Sequence, residues 1–81
     1  MPTVLRFEAY RFFFYSADGD EPPHIHVERG AGHAKYWLEP VRLQGSSGFR
    51  PAELRRIARL VEDNVASILR AWHEHFGNRS T

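Results

Sequence analysis

From Pro51 onward the chain repeats apolar residues at helical spacing: Leu54, Ile57, Val61, Val65, Ile68, Leu69, Trp72 and Phe76 fall on one stripe. The pattern predicts one long helix over about residues 51–76. Pro51 suits a first helical position, Glu53 puts a negative charge near the helix N-terminus, and Gly77 stands where a helix can end. Arg50 falls at the N-cap, where Ser or Thr would complete a capping box with Glu53, at a cost of about 1 kcal/mol.

Earlier in the chain the period is that of strands. TVLRFEAYRFFFYS, residues 3–16, holds two β-branched and aromatic runs divided by Glu8-Ala9, which predicts two strands and a tight turn. The second run is apolar on both faces, as suits the centre of a sheet. SADGDEPP, residues 16–23, is a loop, its exit held extended by Pro22-Pro23. HIHVER and HAKYWL each alternate polar and apolar around Gly30-Ala31-Gly32, the pattern of a hairpin. Glu39-Pro40 interrupts, Val41-Arg42-Leu43 continues as a short edge strand, and GSSG at 45–48 reads as a flexible link.

The expected fold is therefore α+β: a single domain over residues 1–81, with a small, mostly antiparallel sheet of about four strands within residues 3–43. One long C-terminal helix packs on one face. Such a helix is about 39 Å long, whereas six-residue strands span about 20 Å. Either the helix bends near Asp63-Asn64, or its second half, with Leu69, Trp72 and Phe76, needs cover from a second subunit or another protein.

Composition narrows the function classes. A chain of 81 residues with 42% hydrophobic and 26% charged residues is globular and too short for a second domain. The net charge of +1 excludes a strongly basic domain, so nucleic-acid binding would need a local patch. The absence of cysteine removes disulfides, thiolate metal sites and cysteine nucleophiles together. No apolar run approaches the roughly 20 residues of a membrane span, and MPTVLRFEAY lacks the features of a signal peptide. The expectation is a cytoplasmic protein with no membrane contact.

Candidate chemistry concentrates in EPPHIHVERG, residues 21–30. On a strand, His24, His26 and Glu28 point one way and Ile25 and Val27 the other. Pairing Glu28 with His33 sets Lys35 opposite His26 and Trp37 opposite His24, so one face gathers all six polar and aromatic side chains. Three readings follow. In the first, the face is a solvated surface that meets a partner, with His33, Trp37 and Glu28 as contact residues and Trp72 contributing from the helix. In the second, His24 or His26 is a general acid or base and Lys35 stabilises an anionic phosphate, the equipment of a metal-independent ribonuclease-type toxin. HIHVE is superficially similar to the histidine-triad nucleotide-hydrolase motif, but Glu28 replaces the third histidine.

In the third reading, His24 and His26 converge on zinc with Glu28 or His33 as third ligand. Lys35 beside His26 disfavours a cation, and no fourth ligand is evident. No metal or cofactor is therefore assigned, and the binding face is preferred. Arg50, Arg55, Arg56 and Arg59 crowd the first half of the helix among Glu53, Glu62 and Asp63, the pattern of a salt-bridged solvent face. The alternative is an acidic-partner or RNA patch using Arg55 and Arg59, which leaves RNA binding open.

Taken together, MPTVLRF, YRFFFYS, EPPHIHVER, AKYWLEPV and the helix opening with ELRRI resemble the bacterial domain of unknown function 4160 family over nearly the whole chain. The hallmark positions fall on Pro23, His24, His26, Lys35, Trp37, Leu38 and Pro40, and no catalytic assignment comes with them. The resemblance implies a small component of a prokaryotic two-gene module of toxin–antitoxin type, commonly beside a small protein of domain of unknown function 2442. A cognate protein of that type, a homodimer, or both are the partners it implies.

Overall fold

The structure, a computed structural model, describes residues 3–77. Five strands come first: β1 (Thr3–Phe7), β2 (Tyr10–Phe13), β3 (His24–Arg29), β4 (Gly32–Leu38) and β5 (Val41–Ser47). They pair antiparallel in sequence order as a meander. Two helices follow, α1 (Pro51–Asp63) and α2 (Val65–Phe76).

The α+β class is as expected, with three corrections. The sheet has five strands rather than four. The fifth is no short stub ending at residue 43, because Gly45, Ser46 and Ser47 stay in register with Lys35, Ala34 and His33. Their small side chains give no strand signal, but β4 supplies a complete backbone ladder for them to join. The aromatic β2 lies inside the sheet, but β3 is its central strand.

The third correction concerns the helix, which is interrupted at Asn64. There the backbone leaves helical values (φ −118°, ψ 12°), and the side-chain amide donates to the Leu60 carbonyl at 2.8 Å. Helical bonding resumes where the Ile68 N–H donates to the Asn64 carbonyl at 3.0 Å. This is the first of the two outcomes that the length mismatch allowed, a break near Asp63-Asn64. Trp72 is only 4% exposed and packs on Phe14 within the same chain, with ring centroids 5.4 Å apart.

One face of the sheet presents Tyr10, Phe12, Ile25, Val27, Ala34, Tyr36 and Leu38 to Ile57, Val61, Ile68 and Trp72 of the helices. The Val, Leu, Ile and Phe side chains among them each contribute roughly 1.5–3 kcal/mol when fully buried. Polar ties orient α1 over this face: Tyr36 Oη donates to the Leu54 carbonyl at 2.7 Å, and Tyr10 Oη to Glu53 Oε2 at 2.6 Å. Glu53 also accepts from Arg29 Nη1 at 3.0 Å, so this first-turn carboxylate serves the sheet as well as the helix terminus.

Two of the positive-φ positions lie in hairpin turns. Gly30 (φ 57°) begins the two-residue connection of the β3–β4 hairpin, as the primed turns demand, whereas Glu8 (φ 55°) bears the cost of that region for a residue with a Cβ. A salt bridge of 2.6 Å from Arg56 to Glu8 holds the second turn against α1.

Candidate functional site at the histidine hairpin

The β3–β4 register is the expected one, with His24 opposite Trp37, His26 opposite Lys35 and Glu28 opposite His33. What differs is the cover. A 3-10 turn at Ser16–Asp20 lies against this face, leaving His24 fully buried and His26 only 8% exposed. The face is thus an interior layer at its centre and a surface at its margins.

Asp18 closes the layer. Its Oδ2 accepts the Tyr15 backbone N–H at 2.8 Å, lies 3.2 Å from His26 Nε2, and lies 3.0 Å from His24 Nε2. Burial by itself would raise the Asp18 carboxyl, but the Tyr15 N–H and the adjoining His24 and His26 together hold it below its ordinary value. Burial is also the largest influence on His26, lowering it below the usual imidazole range against the opposing pull of Asp18.

The rings are ordered by their neighbours. Phe13 and His33 stack on either side in the sheet, at 5.4 and 5.3 Å from the His26 centroid, and Tyr15 meets it edge-on at 4.9 Å. His26 Nδ1 and His33 Nε2 are 3.2 Å apart and share one hydrogen. His24 Nδ1 donates to the Pro22 carbonyl at 2.9 Å, and the ring lies between Trp37 and Trp72 at 5.7 and 5.0 Å. Pro22-Pro23 thereby place a carbonyl as well as straighten the chain.

Of the other sequence candidates, Trp72 packs on His24, while Lys35 and Glu28 turn to partners outside this centre. Lys35 donates to Glu21 at 2.6 Å, which lowers the Glu21 carboxyl, and its ammonium lies 4.8 Å from the Trp37 ring centre. Glu28 accepts from Arg11 Nη1 at 2.9 Å and so turns toward β2. Trp72 lies inside, while Arg55 and Arg59 stand exposed on α1.

Asp18, His24 and His26 bring one donor atom each within 4.8 Å of one another, a spacing that suits a shared cation. Asp18 was not among the sequence candidates. It comes from a loop whose Asp-Gly composition signals a turn but gives no register against the strands. Beside the turn, a cleft of about 380 Å³ runs between residues 19–23 and the end of α2, with Asp20, Glu21 and Glu39 on one side and Trp72 and Phe76 on the other. Among the described residues, no helix is long and apolar enough to cross a membrane.

A family model described as "Domain of unknown function (DUF4160)" fits residues 9–73. The span runs from the β1–β2 turn into α2 and takes in the whole histidine layer. No curated protein and no solved structure matches the chain.

Proposed function

The chain belongs to the domain of unknown function 4160 family, and from that premise we propose that it is a partner-binding component of a prokaryotic two-gene module of toxin–antitoxin type. The observation that supports binding is the free side of β5. Among the described residues this seven-residue strand pairs only with β4, so its outer backbone groups form a template for another strand. Leu43 is 40% exposed on it, and a shallow groove between β5 and α1 is lined by Tyr36, Val41, Leu43, Leu54 and Ala58. Strand addition would supply backbone hydrogen bonds, and the groove would take an apolar side chain.

The protection on that edge is slight. Gln44 forms a bulge between the Leu43 and Gly45 pairings, and Arg42 is the only charge on the strand. The first partner to test is a small protein of the domain of unknown function 2442 type, which the resemblance implies as the product of an adjacent gene. A second copy joined at the same edge is the homodimer alternative. The ribonuclease reading draws less support, because His24 is fully buried and the Lys35 ammonium is engaged by Glu21.

Co-expression with the adjacent gene product and size-exclusion chromatography test the reading. A discrete complex is expected that Leu43→Arg and Gln44→Pro each abolish, with the circular dichroism of both variants unchanged. A chain that stays monomeric with that product, or a complex indifferent to both substitutions, overturns it.

A further inference from the structure

The tightest unexplained feature is the contact between Asp18 and His24. The His24 ring is completely buried, and its Nδ1 faces the Pro22 carbonyl at 2.9 Å. A carbonyl only accepts, so Nδ1 carries a hydrogen, and in the neutral ring the Nε2 lone pair points into the layer. There Nε2 has no hydrogen-bond partner, although Asp18 Oδ2 is 3.0 Å away: the contact is short but misaligned. A lone pair held that close to a carboxylate oxygen is repulsive unless positive charge lies between them. A buried polar atom without a partner also costs about 1–3 kcal/mol.

We propose that Asp18, His24 and His26 form a binding site for one divalent transition-metal ion of the zinc class. Two imidazole nitrogens and one carboxylate oxygen are a donor set for zinc, cobalt or nickel rather than for the all-oxygen cations. Two of the three donor separations are short, Asp18 Oδ2 lying 3.0 Å from His24 Nε2 and 3.2 Å from His26 Nε2, and the two imidazole donors lie within 4.8 Å of each other. An ion about 2.0–2.1 Å from each donor sets tetrahedral neighbours about 3.3 Å apart, close to both separations that Asp18 makes.

The surrounding groups suit the role. Metal-bound histidines characteristically donate their other ring N–H to a carbonyl or similar acceptor, which fixes tautomer and ring orientation. Pro22 does this for His24, and His33 Nε2 stands at 3.2 Å to do it for His26. Lys35, the expected obstacle to a cation, is drawn off to Glu21 at 2.6 Å. Glu28, a ligand candidate by alternation, is occupied by Arg11 and leaves the third position to Asp18. Asp18 and His26 keep side-chain exposures of 15% and 10%, so a fourth position opens toward solvent. The ion joins the 3-10 turn to the central strand.

The test uses the full chain, stripped with chelator and titrated calorimetrically with Zn²⁺ alone and with Co²⁺ alone. One equivalent is expected to bind, with the visible absorption of a low-symmetry Co²⁺ site and a raised Tm. Asp18→Asn, close in shape and retaining the fold, should weaken binding by about 100-fold or more, and His33→Gln by about 10–100-fold. Glu28→Gln, and a His73→Ala, His75→Ala pair on α2, should leave both affinity and stoichiometry unchanged. Failure of the native chain to take up either ion overturns the proposal. So does binding that is indifferent to Asp18→Asn, or binding that the α2 pair removes.

Discussion

Tyr36 shows how one buried hydroxyl ties the two layers. Its donation to the Leu54 carbonyl lies under α1, and burial pushes the phenol up to about 12 from 10.0. Because the folded value is the higher one, this contribution is fully present below the unfolded value of 10.0 and is lost as pH rises through about 12. Tyr36→Phe should cost about 1 kcal/mol at neutral pH, as a neutral hydrogen bond does, and should flatten the alkaline decline. Urea titrations at a series of pH values measure both effects, and an unchanged alkaline slope would remove Tyr36 as the cause.

At the same scale, alternation read in the sequence correctly separated Ile25 and Val27 from His24, His26 and Glu28, because a strand's period of two leaves no freedom. It did not reveal that both sides are covered. Burial of the polar side depends on Asp18, which arrives through a turn whose path no periodicity records.

Among the elements, α1 carries its defect at its start. Arg50 is extended (φ −81°, ψ 156°) and gives no side-chain cap. Arg50→Ser should raise stability by about 0.5–1 kcal/mol, at the lower side of the usual range. Only half of a capping box is open to it, since the Glu53 carboxylate is already held by Tyr10 and Arg29. Chemical denaturation with a fixed m-value checks this, and a loss of stability would show that Arg50 makes a contact of its own.

The helix itself was legible as a stripe but not as two pieces. Val61, Val65 and Ile68 keep the 3-and-4 spacing across Asn64, so one non-helical residue leaves no trace in the pattern. The break seats Trp72 against Phe14, His24 and Phe76. Trp72→Ala should therefore cost about 3–5 kcal/mol, the range for a buried aromatic, and a value below 1 kcal/mol in denaturant titration would contradict its placement.

As a whole the molecule is a sheet with unequal covers. Two helices bury one face with Ile57, Val61, Ile68 and Trp72, whereas the other is covered by a single 3-10 turn with no buried residue of its own, and Trp72 reaches it only at His24. Opening free energies follow the apolar area and hydrogen bonds released, so the thin cover should open without the sheet. Its anchors are Asp18 Oδ2 on the Tyr15 N–H, and the bond of 3.1 Å from the Glu21 N–H to the Asp18 carbonyl. In metal-free protein, Asp18→Ala removes the first directly and loosens the second. Amide exchange at Tyr15 and Glu21 should accelerate about tenfold or more, each decade corresponding to about 1.4 kcal/mol. The Ile25, Val27 and Tyr36 amides, in strands pinned by the helices, should change far less. Uniform acceleration throughout the sheet would make Asp18 part of the global core, and no acceleration at Tyr15 would show that the turn does not hang on its carboxylate.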